Sequence, residues 1–179
     1  LRTTNRQYLT LFNTIFAFKL YPMITHKILI NDFISEDYEL IALHSSLDDY
    51  KLAYLINSLL NIHLKKNNFN IEIEIEEGKS SFSNFIFEDK KNDVTWSLIA
   101  NKTTIVTDKH KSSQLFDAVD ITVFLLPEYR KADYLLKIEN SDYDFNEDEI
   151  IGKILSMKTI STAYALDPNN LKSKNNLIF

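Results

Sequence analysis

The sequence predicts an α+β fold: a single domain in which an antiparallel β-sheet carries two main helices packed on one face. Three observations point to it. Apolar runs of about four to eight residues, the length of strands, recur along the chain between tight polar links. Only two stretches space their apolar residues at three and four, as amphipathic helices do. No period of about twenty to fifty residues repeats, and no linker divides the chain. The expected order is β-β-α-β-β-β-β-β-α-β.

The first 22 residues stand apart. They begin with Leu1, the first methionine is Met23, and Arg2 and Arg6 ahead of "YLTLFNTIFAF" mimic the charged and apolar parts of a secretory signal. Lys19 interrupts the apolar part, no small-residue cleavage site follows, and the run is too short to span a bilayer. Residues 1–22 are therefore expected to be a non-native or disordered extension, and residues 23–179 the domain.

Within that domain, "HKILI" (26–30) and "YELIALHSS" (38–46) are strand-length runs joined by polar residues. Ser46 with Asp49 three positions on resembles a capping box, and Asp48 and Asp49 suit the positive end of a helix dipole. Leu52, Leu55, Ile56, Leu59 and Ile62 then form the stripe of a helix over 47–62. "NIEIEIEE" (70–77) alternates strictly, a strand with one wet face whose row of carboxylates discourages edge pairing. Residues 82–87 and 94–100 flank "EDKKND" as a hairpin, with Val94, Trp96 and Leu98 on one face. Residues 103–106 extend a strand by a weak pattern, and "SQLFDA" suits one helical turn. "DITVFLLP" (120–127) is apolar at both parities, which predicts a central strand covered on both sides. "DYLLKIEN" follows with Tyr134, Leu136 and Ile138 on one face. Asn146 caps a second helix with Glu147, Asp148 and Glu149 in its first turn and Ile150, Ile151, Ile154 and Leu155 as its stripe. "ISTAYAL" (160–166) is the last strand, before a turn-rich tail with an apolar end.

Composition excludes several chemistries. At 179 residues the chain can bury a core without covalent staples, and 45% hydrophobic with 25% charged residues is an ordinary globular balance. With no cysteine there is neither a disulfide framework nor a thiolate metal site, as befits a reducing, cytoplasmic setting. A net charge of -5 argues against a nucleic-acid partner, and "KKNN" (65–68) and "KHK" (109–111) read as solvated loops. Gly78 and Gly152 are the only glycines, so no phosphate-cradling glycine loop exists; Gly152, inside a helix, is expected to permit close packing. No GxSxG elbow occurs. His26, His44, His63 and His110 show no metal-ligand spacing, so no metal or cofactor is expected.

The segment "LPEYRKADYLLKIE" (126–139) concentrates what remains. Pro127 lacks an amide proton and ends the preceding strand. Glu128, Arg130, Lys131 and Asp133 form a polar turn, and Tyr134 re-enters the core. Glu128 and Asp133, with His44 just ahead of Ser45 and Ser46, are the candidate acid–base set. Read structurally, the same acids pair with Arg130 or Lys131, or hold turn amides, and the segment is a corner between two strands. The corner is the favoured reading, with no catalytic residue assigned.

"LPEYRKADY" resembles the signature of a small bacterial family, the IPExxxVDY proteins. Pro127, Glu128, Asp133 and Tyr134 match it, while Leu126 and Ala132 stand for its Ile and Val. The resemblance covers residues 23–179, including "LHSSLDDYKLAYLIN" and "LKSKNNLIF". It implies a domain of about that length and carries no activity or ligand with it. Family members encoded near genes for ribonuclease III and pyruvate kinase imply housekeeping company.

The favoured expectation is a cytoplasmic, non-catalytic domain that binds a protein partner or assembles with itself, without membrane contact. Leu177, Ile178 and Phe179 would be its interaction tail. A small-substrate enzyme using Glu128 and Asp133 is the alternative, and an RNA-associated housekeeping factor a further one.

Overall fold

The computed structural model describes residues 38–108, 118–141 and 145–179, all within one compact unit, Glu36–Phe179. The strand expected at 26–30, the start at Met23, "KHK" (109–111) and most of "SQLFDA" lie outside the described residues. The fold is α+β. Its main sheet has six antiparallel strands in the order β10-β1-β9-β6-β5-β2. They are β1 (Tyr38–Ser45), β2 (Lys65–Lys66), β5 (Asn84–Asp89), β6 (Val94–Ala100), β9 (Tyr134–Glu139) and β10 (Ile160–Leu166). Two hairpins accompany it: β3 (Ile71–Ile75) with β4 (Gly78–Phe82), and β7 (Lys102–Asp108) with β8 (Ala118–Phe124).

Alternation along the strands builds two apolar layers, because successive side chains leave a strand on opposite faces. Ile41 and Leu43 of β1, Trp96 and Leu98 of β6, and Leu136 and Ile138 of β9 face the helices. Leu52, Ala53 and Ile56 of α1 (Asp49–Leu60) and Ile154 of α2 (Glu147–Leu155) meet them there. Both helices thus pack on one face. On the other face Leu40, Ala42, Ile99 and Leu135 are covered by Ile71 and Phe82 of the first hairpin, and by Leu125, Leu126, Leu171 and Leu177. Among the described residues no helix is long and apolar enough to cross a membrane.

Six expectations are corrected. The run at 120–126 is not a central strand: among the described residues β8 pairs only with β7, and its Asp120 and Thr122 are exposed. Strands covered on both sides are β1, β6 and β9, and β9, between β1 and β6, buries Leu135, Leu136, Lys137 and Ile138 in succession. The apolar residues Leu125 and Leu126 are indeed buried, but beyond the end of β8, where the chain turns inward. Among the described residues eight strands rather than five lie between the helices, because the short β2, the polar β4 and β7 carry weak patterns.

Ser46 does not cap α1. Asp48 is the N-cap, and its carboxylate pairs with Lys51 at 2.8 Å rather than with the helix amides. Gly152 permits no close approach, since a Cβ there would meet nothing within 4 Å. Leu55 is only half-buried and Leu155 is 46% exposed, so each helix buries a narrower stripe than its sequence offers. "KKNN" is not wholly loop: Lys65 and Lys66 form β2 and pair with Ile86 and Phe85. Asn146 caps α2 as expected, its Oδ1 accepting from the Glu149 amide at 3.1 Å.

The central position of β9 has a measurable consequence. Leu136→Ala should lower unfolding free energy by about 2–5 kcal/mol, whereas Leu155→Ala should stay within about 0.5 kcal/mol, both read by urea denaturation.

Candidate functional site

The corner between β8 and β9 is built around a residue outside the motif. Asn101, between β6 and β7, is wholly buried. Its Nδ2 donates to the carbonyls of Tyr129 and Ala132, both at 2.9 Å, and its Oδ1 accepts from the Leu126 amide at 2.9 Å. Its backbone accepts from the Leu125 amide at 2.8 Å and donates to the Asp133 carbonyl at 2.9 Å. A carboxamide suits this place because it donates and accepts at once, which a carboxylate does not. Pro127 opens a one-turn 3-10 helix, Pro127–Tyr129, whose return brings those carbonyls onto Asn101. Ala132 is fully buried against them.

The motif acids turn away from one another. Glu128 Oε1 accepts from the amides of Lys172 and Ser173, each at 3.0 Å, and Oε2 accepts from the Ser173 hydroxyl at 3.0 Å. Partial burial pushes the Glu128 carboxyl up, but the bonds from Ser173 and Lys172 together outweigh it and hold it below its ordinary value. Asp133 Oδ2 accepts from the Ser45 amide at 2.9 Å, and Oδ1 is bonded to the Lys102 ammonium. The Asp133 amide donates to the Leu43 carbonyl at 2.9 Å, extending the β1–β9 ladder by one residue. The register of β1 against β10 slips between His44 and Ser45, and Ser45 still stands opposite Ile160.

The expected pairing of these acids with Arg130 or Lys131 does not occur. Lys102 takes Asp133, and Arg130 Nε donates to the Pro127 carbonyl at 3.3 Å. Tyr134 donates its phenol to the Leu47 carbonyl at 2.6 Å, tying the corner to the approach of α1. Burial, reinforced by Asp49, Asp133 and Asp48, pushes that phenol up to about 12. His44 lies 5.7 Å from the Tyr164 ring, centroid to centroid, and is engaged there. Among the described carboxyls, the one pushed upward is Glu147, by burial first and then by Glu39 and Asp148.

A second feature carries unused polar chemistry. A cleft of about 500 Å³ runs between β3, the main sheet at Asn84 and Ile86 of β5, and the tail at Ile178 and Phe179. Asn84 is 1% exposed, and neither Nδ2 nor Oδ1 has a hydrogen-bond partner. Ser97, on the neighbouring strand opposite Ile86, is buried with its Oγ also unpartnered. Phe69, 81% exposed, and the half-exposed Ile178 and Phe179 stand at the rim.

The tail is held rather than free at Leu177. That residue is fully buried, and its carbonyl accepts from Lys137 Nζ at 2.9 Å. Lys137, itself buried, also bonds Glu139 at 2.7 Å and lies 4.9 Å from the Phe179 ring. Of the expected interaction tail, only Ile178 and Phe179 are open to solvent. Lys137 was legible in principle, as a lysine at core parity in "YLLKIE"; nothing in the sequence marks Asn84 or Asn101. A shallower hollow of about 420 Å³ lies by His63 and Phe87. Among the described residues no group of three or more His, Asp or Glu is placed to hold a metal.

Two titrations test the corner. Because the folded Glu128 carboxyl sits below 4.5, its contribution is full above that pH and is lost as pH falls through the lowered value. Glu128→Gln should lower Tm by about 2–4 °C at neutral pH, with the gap to wild type closing below pH 4.5. Tyr134 has the opposite sign: its contribution is full below pH 10 and is lost as pH rises through about 12. Tyr134→Phe should cost about 1 kcal/mol at neutral pH and unfold with less alkaline dependence than wild type, followed by circular dichroism.

No family model matches this chain, and neither a curated protein nor a solved structure matches it.

Proposed function

We propose that the protein is a non-catalytic, cytoplasmic interaction domain that binds another polypeptide or a second copy of itself. The observation that carries this reading is a contrast between corner and cleft. At the corner, the Glu128 and Asp133 carboxylates, the Tyr134 phenol and the Asn101 carboxamide are all engaged within the chain. A side chain so engaged is positioned to hold structure rather than to move a substrate proton. At the cleft, a buried carboxamide without a partner lies beneath exposed Phe69, Ile178 and Phe179. Aromatic anchors around a desolvated polar group are the composition of interface hot spots.

Membership of the IPExxxVDY family is part of the proposal and rests on residues 126–134. The engagement of Glu128, Asp133 and Tyr134 gives a physical reason for those residue types to occur together without chemistry. The acid–base alternative draws no support from two acids that hold different segments, residues 172–173 and Ser45. An RNA partner draws none from a cleft lined by Glu72 and Glu74. The lack of cysteine supports the reducing compartment.

A photo-crosslinking phenylalanine analogue at position 69, activated in cells, tests the reading. It should give a discrete adduct with a polypeptide, while the same analogue at the exposed Tyr54 of α1, on the helix face, should not. Absence of any polypeptide adduct at position 69 would overturn it.

A further inference from the structure

We infer that the cleft takes an extended peptide segment of alternating basic and apolar side chains, laid along the open edge of β3; this deepens the interaction-domain reading and rests on it. Three observations converge on that ligand. The first is Asn84, which presents a buried donor and a buried acceptor side by side with nothing to answer either. A buried polar group left unanswered destabilises the fold. The group that answers both halves of a carboxamide is another amide, and a peptide backbone offers one at every residue.

The second is the edge itself. Among the described residues β3 pairs with β4 alone, from Ile75 opposite Gly78 to Ile71 opposite Phe82. The two-residue turn Glu76-Glu77 makes Ile75 and Gly78 a hydrogen-bonded pair, so Ile71, Ile73 and Ile75 direct their backbone groups toward β4. The amides and carbonyls of Glu72 and Glu74 then point the other way, and both residues line the cleft. Unpaired groups at strand spacing are the template for strand addition.

The third is side-chain complementarity. A volume of about 500 Å³ accommodates a short segment. Among the described residues the cleft lining contains Glu72 and Glu74 and neither lysine nor arginine. Lys79 of β4 approaches Glu72 at 3.5 Å, which leaves Glu74, with Glu76 and Glu77 beside it, as the net charge on the edge. A strand added to β3 sets every second residue beside these glutamates and the others beside Ile71 and Ile73. Basic residues fit the first set and apolar residues the second. A second copy of β3 would instead set glutamate against glutamate, which disfavours self-pairing at this edge.

The probe is an end-blocked, fluorescein-labelled hexapeptide alternating lysine and isoleucine, titrated with the full chain by fluorescence anisotropy. It should bind at least about tenfold more tightly than its glutamate–isoleucine twin. N-methylation of one alternating set of amides should abolish binding and of the other should not: the lysine set for antiparallel addition, the isoleucine set for parallel. Asn84→Leu should weaken binding by about tenfold or more while raising Tm, because it removes an unanswered amide. If that variant does not fold, Glu72→Lys with Glu74→Lys, at two exposed positions, should reverse the preference toward the twin. Equal binding of both peptides, or indifference to both N-methyl sets, would overturn the inference. No peptide binding with the position 69 adduct intact would reject strand addition alone; loss of both would reject the interaction reading as well.

Discussion

A polar side chain enclosed in an apolar layer must find all its partners inside the protein, and Asn101 meets that requirement at the point where the β6–β7 and β8–β9 connections meet. Its carboxamide and backbone together bond Leu125, Leu126, Tyr129, Ala132 and Asp133. These bonds set where β8 ends, how tightly the Pro127 turn closes and where β9 begins. Loss of the carboxamide would strand several buried backbone groups at once, each expensive to leave unpaired. A local hydrogen-bond cluster therefore controls the placement of the strand at the centre of the main sheet.

From that anchor the motif reaches outward in two directions. Asp133 and Tyr134 hold the end of β1 and the approach to α1 through Ser45 and Leu47, which joins the sheet to its helical layer. Glu128 holds residues 172 and 173, and four residues on Leu177 is buried over the other face with its carbonyl on Lys137. That second arm carries Ile178 and Phe179 to the wall of the cleft. The corner thus supports the cleft without belonging to it, as a scaffold fixes the backbone beneath a surface.

Much of the architecture was legible because it depends on local pattern. Both helices, the β5–β6 hairpin, β10 and the Asn146 cap follow from periodicity and capping chemistry, which neighbours in sequence decide. The errors arise where an identical pattern has two tertiary explanations. Apolar residues at both parities in 120–126 fit a doubly covered strand, yet they arise from a peripheral hairpin whose last residues dive under the fold. Lys137 disguised the true central strand, because its ammonium is satisfied by Glu139 and the Leu177 carbonyl, residues that only folding brings to it. Ser46 offered a plausible cap, but the N-cap falls later, at Asp48.

By itself the sequence determined the fold class, the helical face, the lack of cysteine chemistry and the existence of a turn at Pro127, since each rests on residue type and short-range spacing. The tertiary structure alone decided strand order, the partners of Glu128 and Asp133, the burial of Asn101 and the unanswered carboxamide of Asn84. Those depend on contacts between residues tens of positions apart, as from Glu128 to Ser173 or Ser45 to Asp133. Whether a polar side chain is satisfied is a property of its surroundings in space, and a linear pattern holds no record of them.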